Sequence, residues 1–363
     1  MTENKPLIDP WSSNNITDYE HIFKEFGLKP FNEEWKKDLN HILFRRNLVI
    51  AERDFIKVLV RIKAKKPFVN ITGIASSGPL HFGHKVDIDL FRFFKERGGR
   101  NYFAVSDIDA YCSRDKILTM KQAKELAVNN LKHALALGLD EKDVYVQSRK
   151  EQRYYEFAFE LSKKITNNEF EAVYGHVNLG KISAAILQYG DILHPQLSEF
   201  EGKMPSITGI GLDQDPHARV TRDVAQRLGY DIEVPSFIYF KHQSGLREGK
   251  KMSSSEPNTA IFLDDNLKEA EKKLMSAFTG GRNTLEEQKK LGGNPNICKV
   301  YEMLKFHYED DKELGRIYSE CRQGKWLCGE CKKYCANFVI KFLEKHQKEA
   351  EKKQKTAEKI VYG

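Results

Sequence analysis

The sequence predicts an α/β fold: a parallel sheet with crossover helices, an all-helical C-terminal region, and a mostly helical N-terminal extension. Three observations predict it. Short apolar runs rich in β-branched residues alternate with longer segments whose apolar residues recur at three and four positions. That order suits a parallel sheet with crossover helices. The first such run passes through a turn of small residues, Ala75–Ser76–Ser77–Gly78–Pro79, directly into a helical pattern. From about residue 266 onward the periodicity is helical throughout.

Residues 1–66 read as the extension, carried by the amphipathic stretches DYEHIFKEF and WKKDLNHILFRR. Lys65–Lys66–Pro67 then interrupts the helical pattern, because the residue before a proline is disfavoured in the α region. Phe68–Ile74 reads as a buried strand, and a helix is expected from about Leu80 through HFGHKVDIDLFRFFKER. Tyr102–Ser106 is the next strand and ends in Asp107–Ile108–Asp109. The helical stretch LTMKQAKELAVNNLKHALALGL leads to a third strand, Val144–Val146. The resulting β–α–β–α–β order is a Rossmann-like layout. Helices and a loop at 175–181 follow, and the strand Ser206–Ile210 returns just before Gly211–Leu212–Asp213–Gln214. These elements divide the chain into the extension, 1–66, a Rossmann-like domain, 67–265, with an insertion around 110–205, and a helical domain, 266–363.

Composition bounds the function classes. Hydrophobic residues make up 40% and charged residues 31%, as in ordinary globular proteins. No apolar run approaches the ~18 residues of a membrane span. The start, MTENKPLIDPWSS, lacks the basic and apolar regions of a secretory signal, so cytoplasm is the expected compartment. Lys and Arg exceed Asp and Glu by only seven, 59 against 52, which does not by itself mark a nucleic-acid binder. The Lys- and Glu-rich tail KFLEKHQKEAEKKQKTAEKIVYG reads first as a solvated helix with i,i+4 pairs.

The most informative local pattern is His81–Phe82–Gly83–His84, placed directly after a strand and a small-residue turn. A helix N-terminus offers free N–H groups and a positive dipole end to a phosphate. Gly83 allows a nucleotide close to the backbone. The two histidines share one side of the first turn and can donate to a phosphate that gains charge in the transition state. Taken alone, this spacing also fits two unrelated histidines or a metal pair. Some 170 residues later, Lys250–Lys251–Met252–Ser253–Ser254–Ser255 offers a cation and hydroxyls on a loop that can close over a triphosphate.

Together these motifs resemble the HIGH and KMSKS signatures of class I aminoacyl-tRNA synthetases. The resemblance implies that an amino-acid carboxylate attacks the α-phosphate of ATP, and that the acyl group then passes to tRNA. It implies that His81 and His84 stabilise the reacting phosphate, while Lys251, Ser253 and Ser255 bind the pyrophosphate end. Ser254 stands where the signature has a second lysine, a departure common among tryptophanyl enzymes. Further stretches are similar to the archaeal and eukaryotic tryptophanyl-tRNA synthetases: Asp9–Pro10–Trp11, SSGPLHFGH, GLDQDPHARVTRDVA at 211–225, KMSSSEPNTAIFLDD, and TGGRNTLEEQKKLGGNP at 279–295. They span nearly the whole chain. The implied activity is ATP-dependent ligation of L-tryptophan to tRNA(Trp).

The same resemblance assigns Gly73, Gly83, Gly211, Asp213 and Met252 to the ATP site, with Gly211 and Asp213 facing the ribose. It assigns Asp109, Gln188, Gln214 and Asp191 to the amino acid, with Asp109 gripping the ammonium group. Mg²⁺ is expected with ATP, although no carboxylate pair identifies its ligands. Two departures bear on the substrate. Ile71 stands where many relatives place a tyrosine, and Gln188–Tyr189–Gly190–Asp191 is similar to the Gln-x-x-Asp with which tyrosyl enzymes hold a phenol. Asp191 could accept from an indole N–H, or serve as a structural helix residue. The helical domain is expected to hold the anticodon stem-loop, and the subclass implies a homodimer.

Cys298, Cys321, Cys328 and Cys331 are spaced C-x22-C-x6-C-x2-C. Four thiols so arranged could hold Zn²⁺ or an iron–sulfur cluster, or could simply be buried. The spacing resembles the subset of tryptophanyl enzymes that carry a 4Fe–4S cluster, which leaves Cys112 and Cys335 over.

Overall fold

The computed structural model describes residues 10–11, 19–117, 119–249, 252 and 256–363. Among these, seven strands form one sheet: β1 (Lys29–Pro30), β2 (Val49–Arg53), β3 (Phe68–Ala75), β4 (Gly99–Ser106), β5 (Val144–Val146), β6 (Ser206–Gly211) and β7 (Ser236–Phe240). Their spatial order is β1-β2-β7-β6-β3-β4-β5. The five strands from β7 to β5 run parallel, and β2 and β1 add antiparallel pairs at one edge.

The extension therefore does more than the helical expectation for 1–66 allowed, since two of its segments belong to the catalytic sheet. The reason is local. Leu48–Val49–Ile50–Ala51 is an apolar run bounded by Asn47 and Asp54, both left-handed at φ 55°. Asn and Asp adopt that conformation more readily than most residues and so delimit a strand. β7 went unread because Ser236–Phe240 is buried along its whole length and shows no polar alternation. A central parallel strand, covered on both faces, has this character.

Side chains of β7 alternate between two cores. Phe237 and Tyr239 pack with the helices Gln152–Ser162 and Leu179–Leu193 on one face. Ile238 and Phe240 pack on the other with the helix Phe82–Lys95 and the extension. A third core starts at Ile74, Phe103 and Val105 and continues without a break through Met303, Leu343 and Val361. The helical region after 266 is thus built onto the sheet layer rather than tethered beside it. Its last helix, Cys328–Tyr362, lies along the helix Met120–Ala136, where the rings of His346 and His133 stack 5.1 Å apart. No helix among the described residues is long and apolar enough to cross a membrane.

The sheet opens where the site forms. From β3 the chain runs outward through β4 and β5, then returns on the other side of β3 as β6. Ligand crevices in open α/β sheets lie at such switch points, beyond the carboxyl ends of the strands. Here β3 and β6 pair only at Val69↔Ser206 and Asn70↔Ile207, whereas β3 and β4 stay paired to Ala75↔Ser106. Past Asn70 the two strands diverge, spanned by the hydroxyl of Thr72 donating to the Gly209 carbonyl at 3.3 Å.

Candidate active site

A cavity of about 330 Å³ fills this opening. It is lined by Gly73 from β3, Gly211 from β6, the turn at His81, Gly83 and His84, and Met252 from the loop after β7. Asp109, Gln188, Asp191, Asp213 and Gln214 line it as well. Every residue assigned from sequence to ATP or the amino acid, and described in the structure, faces this one space. Lys251, Ser253 and Ser255 lie outside the described residues.

The histidines are organised by the helix they start. His81 is the N-cap of Phe82–Lys95, and its Nδ1 accepts from the Gly83 N–H at 3.1 Å. The Nδ1 of His84 accepts from the His81 N–H at 3.2 Å, a reciprocal capping box built from two imidazoles. With both Nδ1 atoms accepting, each neutral ring carries its proton on Nε2. The rings stack at 3.9 Å. A β-carbon at Gly83 would stand 2.9 Å from the His81 ring, so only glycine fits beneath it. That same point lies 3.9 Å from the Met252 β-carbon, which places this one residue of the second motif against the first. Backbone bonds reinforce this: Phe82 N donates to Ile261 O at 3.1 Å and Leu263 N to Leu80 O at 2.8 Å.

At the other end the cavity is acidic and aromatic. Asp191 is buried and receives three donors: the Tyr154 hydroxyl at 2.7 Å and the Tyr145 hydroxyl at 2.8 Å on Oδ1, and Gln147 Nε2 at 2.7 Å on Oδ2. A carboxylate offers about four acceptor sites, so capacity for one further donor remains. Burial pushes the Asp191 carboxyl up to about 6, against the pull of its three donors. Asp109 is likewise raised by burial, although Ser113 donates to it at 2.9 Å and Arg114 lies near. Gln147 ties the two together, its Oε1 accepting from the Asp109 N–H at 3.0 Å.

Several site residues escaped the sequence reading. Gln147 and Tyr145 belong to the third predicted strand and its exit, a segment with no motif. Trp11 reaches the cavity from the extension, its ring 5.3 Å from Tyr174 and 5.5 Å from His217. His217 bonds the Tyr174 hydroxyl at 2.8 Å, and burial holds it at about 3, hence neutral. Gln214, assigned to the amino acid, lines the cavity but gives its Nε2 to the Pro10 carbonyl at 3.1 Å, so part of its role is to fasten Trp11. Asp87, one helical turn past Gly83, also lines the cavity, and burial plus the nearby Asp213 charge raise its carboxyl well above the usual range.

The string 211–225 divides in two. Gly211 and Asp213 face the cavity, but Asp215 is fully buried away from it. It accepts from Arg53 Nε at 3.0 Å and from the Tyr239 hydroxyl at 2.7 Å. Arg222 bonds Asp54 at 2.6 Å. The second half of the motif thus locks β2 to the sheet.

Cys298, Cys321, Cys328 and Cys331 come together around a small second cavity with Thr279, Gly280 and Trp326. None is in a disulfide. Burial, then the neighbouring thiols, pushes Cys321 up to about 11 and Cys331 up to about 12. Among the described residues no three His, Cys, Asp or Glu side chains stand close enough for one metal ion. Four thiols are the donor type that iron–sulfur clusters take, and the absence of a side chain at Gly281 and Gly293 leaves space beside the Cys328 and Cys321 sulfurs. A β-carbon at those glycines would lie 2.7 Å and 3.0 Å from the two sulfurs. Cys298 Sγ also caps the helix Lys299–His307, 3.5 Å from Tyr301 N.

Comparison with known proteins bears on the whole chain. The family model for class I tRNA synthetases (W and Y) matches residues 63–344. The tryptophan–tRNA ligase of Methanocaldococcus jannaschii is 41% identical, with 98% of each chain covered. That of Aeropyrum pernix is 39% identical, covering 98% of this chain and 97% of its own. The crystal structure of tryptophanyl-tRNA synthetase from Aeropyrum pernix superposes with a TM-score of 0.88 at 38% identity over 97% of this chain and 98% of that one. The tryptophan-bound enzyme of Encephalitozoon cuniculi gives 0.84 at 26% identity, over 96% and 99%. With the cavity at the switch point and the likeness running from end to end, the chain belongs to the tryptophan–tRNA ligases of the class I synthetase family.

Proposed function

We propose that the protein ligates L-tryptophan to tRNA(Trp) through a tryptophanyl-adenylate, with ATP as its Mg²⁺ complex and AMP and pyrophosphate as products. The observation that carries this is one cavity with a histidine-capped helix N-terminus at one end and the Asp109–Gln147–Asp191 network at the other. The first end suits a triphosphate. The second suits an ammonium group and a ring N–H.

In this reading Asp109 holds the substrate ammonium, a charge-assisted bond in a buried setting. Asp191 accepts from the indole N–H, which can only donate. Gln188 lines the cavity three residues earlier on the same helix. The substrate carboxylate then reaches the α-phosphate in line. As charge builds on the phosphate oxygens, the Nε2–H groups of His81 and His84 donate to them, already oriented by their Nδ1 caps. Met252 stands against Gly83 at the phosphate end, and its sequence neighbours Lys251, Ser253 and Ser255 would take the departing pyrophosphate. Gly73 and Gly211 line the space for the nucleoside, and Asp213 faces its ribose.

The cysteine set would hold a 4Fe–4S cluster through Cys298, Cys321, Cys328 and Cys331, stiffening the region expected to grip the anticodon. Anaerobic purification with iron and sulfide analysis tests this, and a colourless, iron-free protein with normal tRNA binding would overturn it. A homodimer fits the exposed Phe159 and Leu179 on two helices packed against each other, and equilibrium sedimentation would measure it.

ATP–pyrophosphate exchange with tryptophan and tyrosine side by side tests the main reading. Exchange with tryptophan alone is expected. Exchange with tyrosine would make Gln188 and Asp191 phenol ligands instead, and silence with both would point to a non-catalytic tRNA-binding relative.

A further inference from the structure

We propose that His242 is a positioning residue for adenylation: it aims the Asp213 carboxylate at the nucleotide ribose, and the helix Lys299–His307 holds it there. This rests on the reading above that Asp213 faces the ribose.

His242 follows β7 by two residues and lines the cavity. Its Nε2 lies 2.6 Å from Asp213 Oδ1, close enough for a charge-assisted bond in which the ring donates. Asp213 sits in the single 3₁₀ turn Leu212–Gln214, directly after β6. So short a turn fixes the backbone, and a donor held on one carboxylate oxygen favours one orientation of the side chain. The second oxygen is then turned toward a defined place in the cavity.

Gly211 makes the contact possible. A β-carbon there would lie 2.1 Å from His242 Cε1, 2.4 Å from Nε2, and 2.8 Å from Asp213 Oδ1. The imidazole therefore lies flush on the Gly211 backbone, in the space any side chain at 211 would need. In this chain the glycine admits the ring that orients the next site residue.

Selection of one rotamer requires that the imidazole itself be fixed. The next two residues do this from the helical region. Gln243 is buried, its Oε1 accepting from His307 Nε2 at 2.8 Å and its Nε2 donating to Met303 Sδ at 3.2 Å. Ser244 N donates to Glu302 Oε1 at 2.9 Å. Three side chains of one helix thus hold the Gln243 side chain and the Ser244 backbone N–H, immediately beside His242. The same helix abuts the first motif, since the Phe82 ring meets His307 edge-on at 4.9 Å. A single element from beyond residue 266 supports both the phosphate side and the ribose side of the cavity.

The test is tryptophan-dependent pyrophosphate exchange with ATP, 2′-deoxyATP and 3′-deoxyATP. His242→Leu removes the donor and keeps bulk. It is expected to raise KM for ATP roughly 10-fold, as loss of a charged-group hydrogen bond does, while kcat changes little. KM for the analogue lacking the bonded hydroxyl should stay where it is. His242→Gln, which retains an N–H at similar reach, should restore the preference for ATP. His242→Asn, too short to reach, should not, and it serves as the donor-loss variant if leucine prevents folding. Equal losses for ATP and both analogues, or no loss at all, would overturn the positioning role. Asp213→Asn separates the two readings. If it abolishes ribose discrimination while His242→Leu does not, only the role of His242 falls. If it leaves discrimination intact, the ribose assignment of Asp213 falls and this proposal falls with it.

Discussion

At the scale of single residues, the site is a set of carboxyl and imidazole groups whose charge states are set by burial. Asp191 is the instructive case. Its carboxyl, raised from 3.8 to about 6, is ionised at neutral pH and becomes neutral just below. A neutral carboxyl has lost acceptor capacity that its three protein donors already use, so the indole N–H is the contact most exposed to protonation. KM for tryptophan should therefore rise as pH falls through about 6, with KM for ATP following a different profile. Exchange kinetics from pH 5 to 8 measure both, and a tryptophan KM flat across that range would remove Asp191 from substrate recognition. Asp191→Asn should weaken tryptophan use about 10- to 100-fold, in keeping with a lost hydrogen bond to a charged group. It should also erase the inflection. His81 makes a complementary prediction. Its Nδ1 caps the helix while its Nε2–H points to chemistry, so His81→Asn keeps an N-cap acceptor yet shortens the donor. Exchange should fall about 100-fold or more with the loss of such a donor, while the thermal midpoint moves little. A large drop in midpoint would show that the capping bond, not phosphate stabilisation, is what His81 chiefly supplies.

At the scale of elements, the legible parts were those whose chemistry is local. The turn from Ala75 to His84 was readable because a strand end, small residues and a helix cap follow one another directly, and the structure has β3, His81 as N-cap and the helix Phe82–Lys95 in that order. β4, β5 and β6 were readable as short apolar runs. β2 and β7 were not: the short run 48–51 lay inside a stretch read as helical, and β7 is buried throughout and shows no alternation. The side chains that fasten the two strands lie far away in sequence. Asp215 shows the mechanism: it stands in the 211–225 string that reads as a site motif, yet its partners are Arg53 on β2 and Tyr239 on β7. Nothing near either partner announces the bond. The site was similarly half legible, since the ATP end lies in two motifs whereas Gln147 and Tyr145 acquire their roles only once β5 stands beside the Asp191 helix. The Asp215 network carries its own prediction. Arg53→Met leaves a wholly buried carboxylate with one guanidinium fewer, and loss of one partner of a buried ion pair costs about 3 kcal/mol or more. Urea denaturation should show that loss, with β2 leaving the sheet edge. Because Asp215 faces away from the cavity, KM for both substrates should change far less than stability. A variant with native stability would mean that Arg219, within 3.2 Å of Asp215, suffices alone.

At the scale of the whole molecule, what stands out is how many histidines are buried neutral. Burial holds His133, His194 and His217 at about 3 and His41 and His346 at about 4, and puts His307 well below the ordinary 6.5. They sit in all three large cores and join the layers: His133 meets His346 at 2.9 Å between the helix Met120–Ala136 and the last helix, and His307 bonds Gln243 between the helical region and the sheet. The sign of the linkage follows directly. Each folded value is depressed, so each histidine's contribution is fully present above 6.5 and is lost as pH falls toward the folded value, because the unfolded chain takes up the proton first. Each such proton costs about 1.4 kcal/mol per pH unit. Asp191 and Asp109, raised by burial, act in the opposite sense, gaining protons in the folded chain before the unfolded one does. They are fewer, and Asp191 titrates only near the upper edge of the window. The protein should therefore lose stability steeply from pH 6.5 down to about 4.5, in a range where its paired surface carboxylates are still charged. Urea midpoints measured at half-unit steps would reveal the slope, and its size counts the protons taken up on unfolding. A profile flat to pH 5 would mean that these rings are already protonated in the fold, which the stacked His133–His346 pair could not accommodate. Replacing that pair by two phenylalanines should lower the slope by about two protons while keeping the aromatic contact, and the last helix would then stay docked in acid where the native one begins to lift.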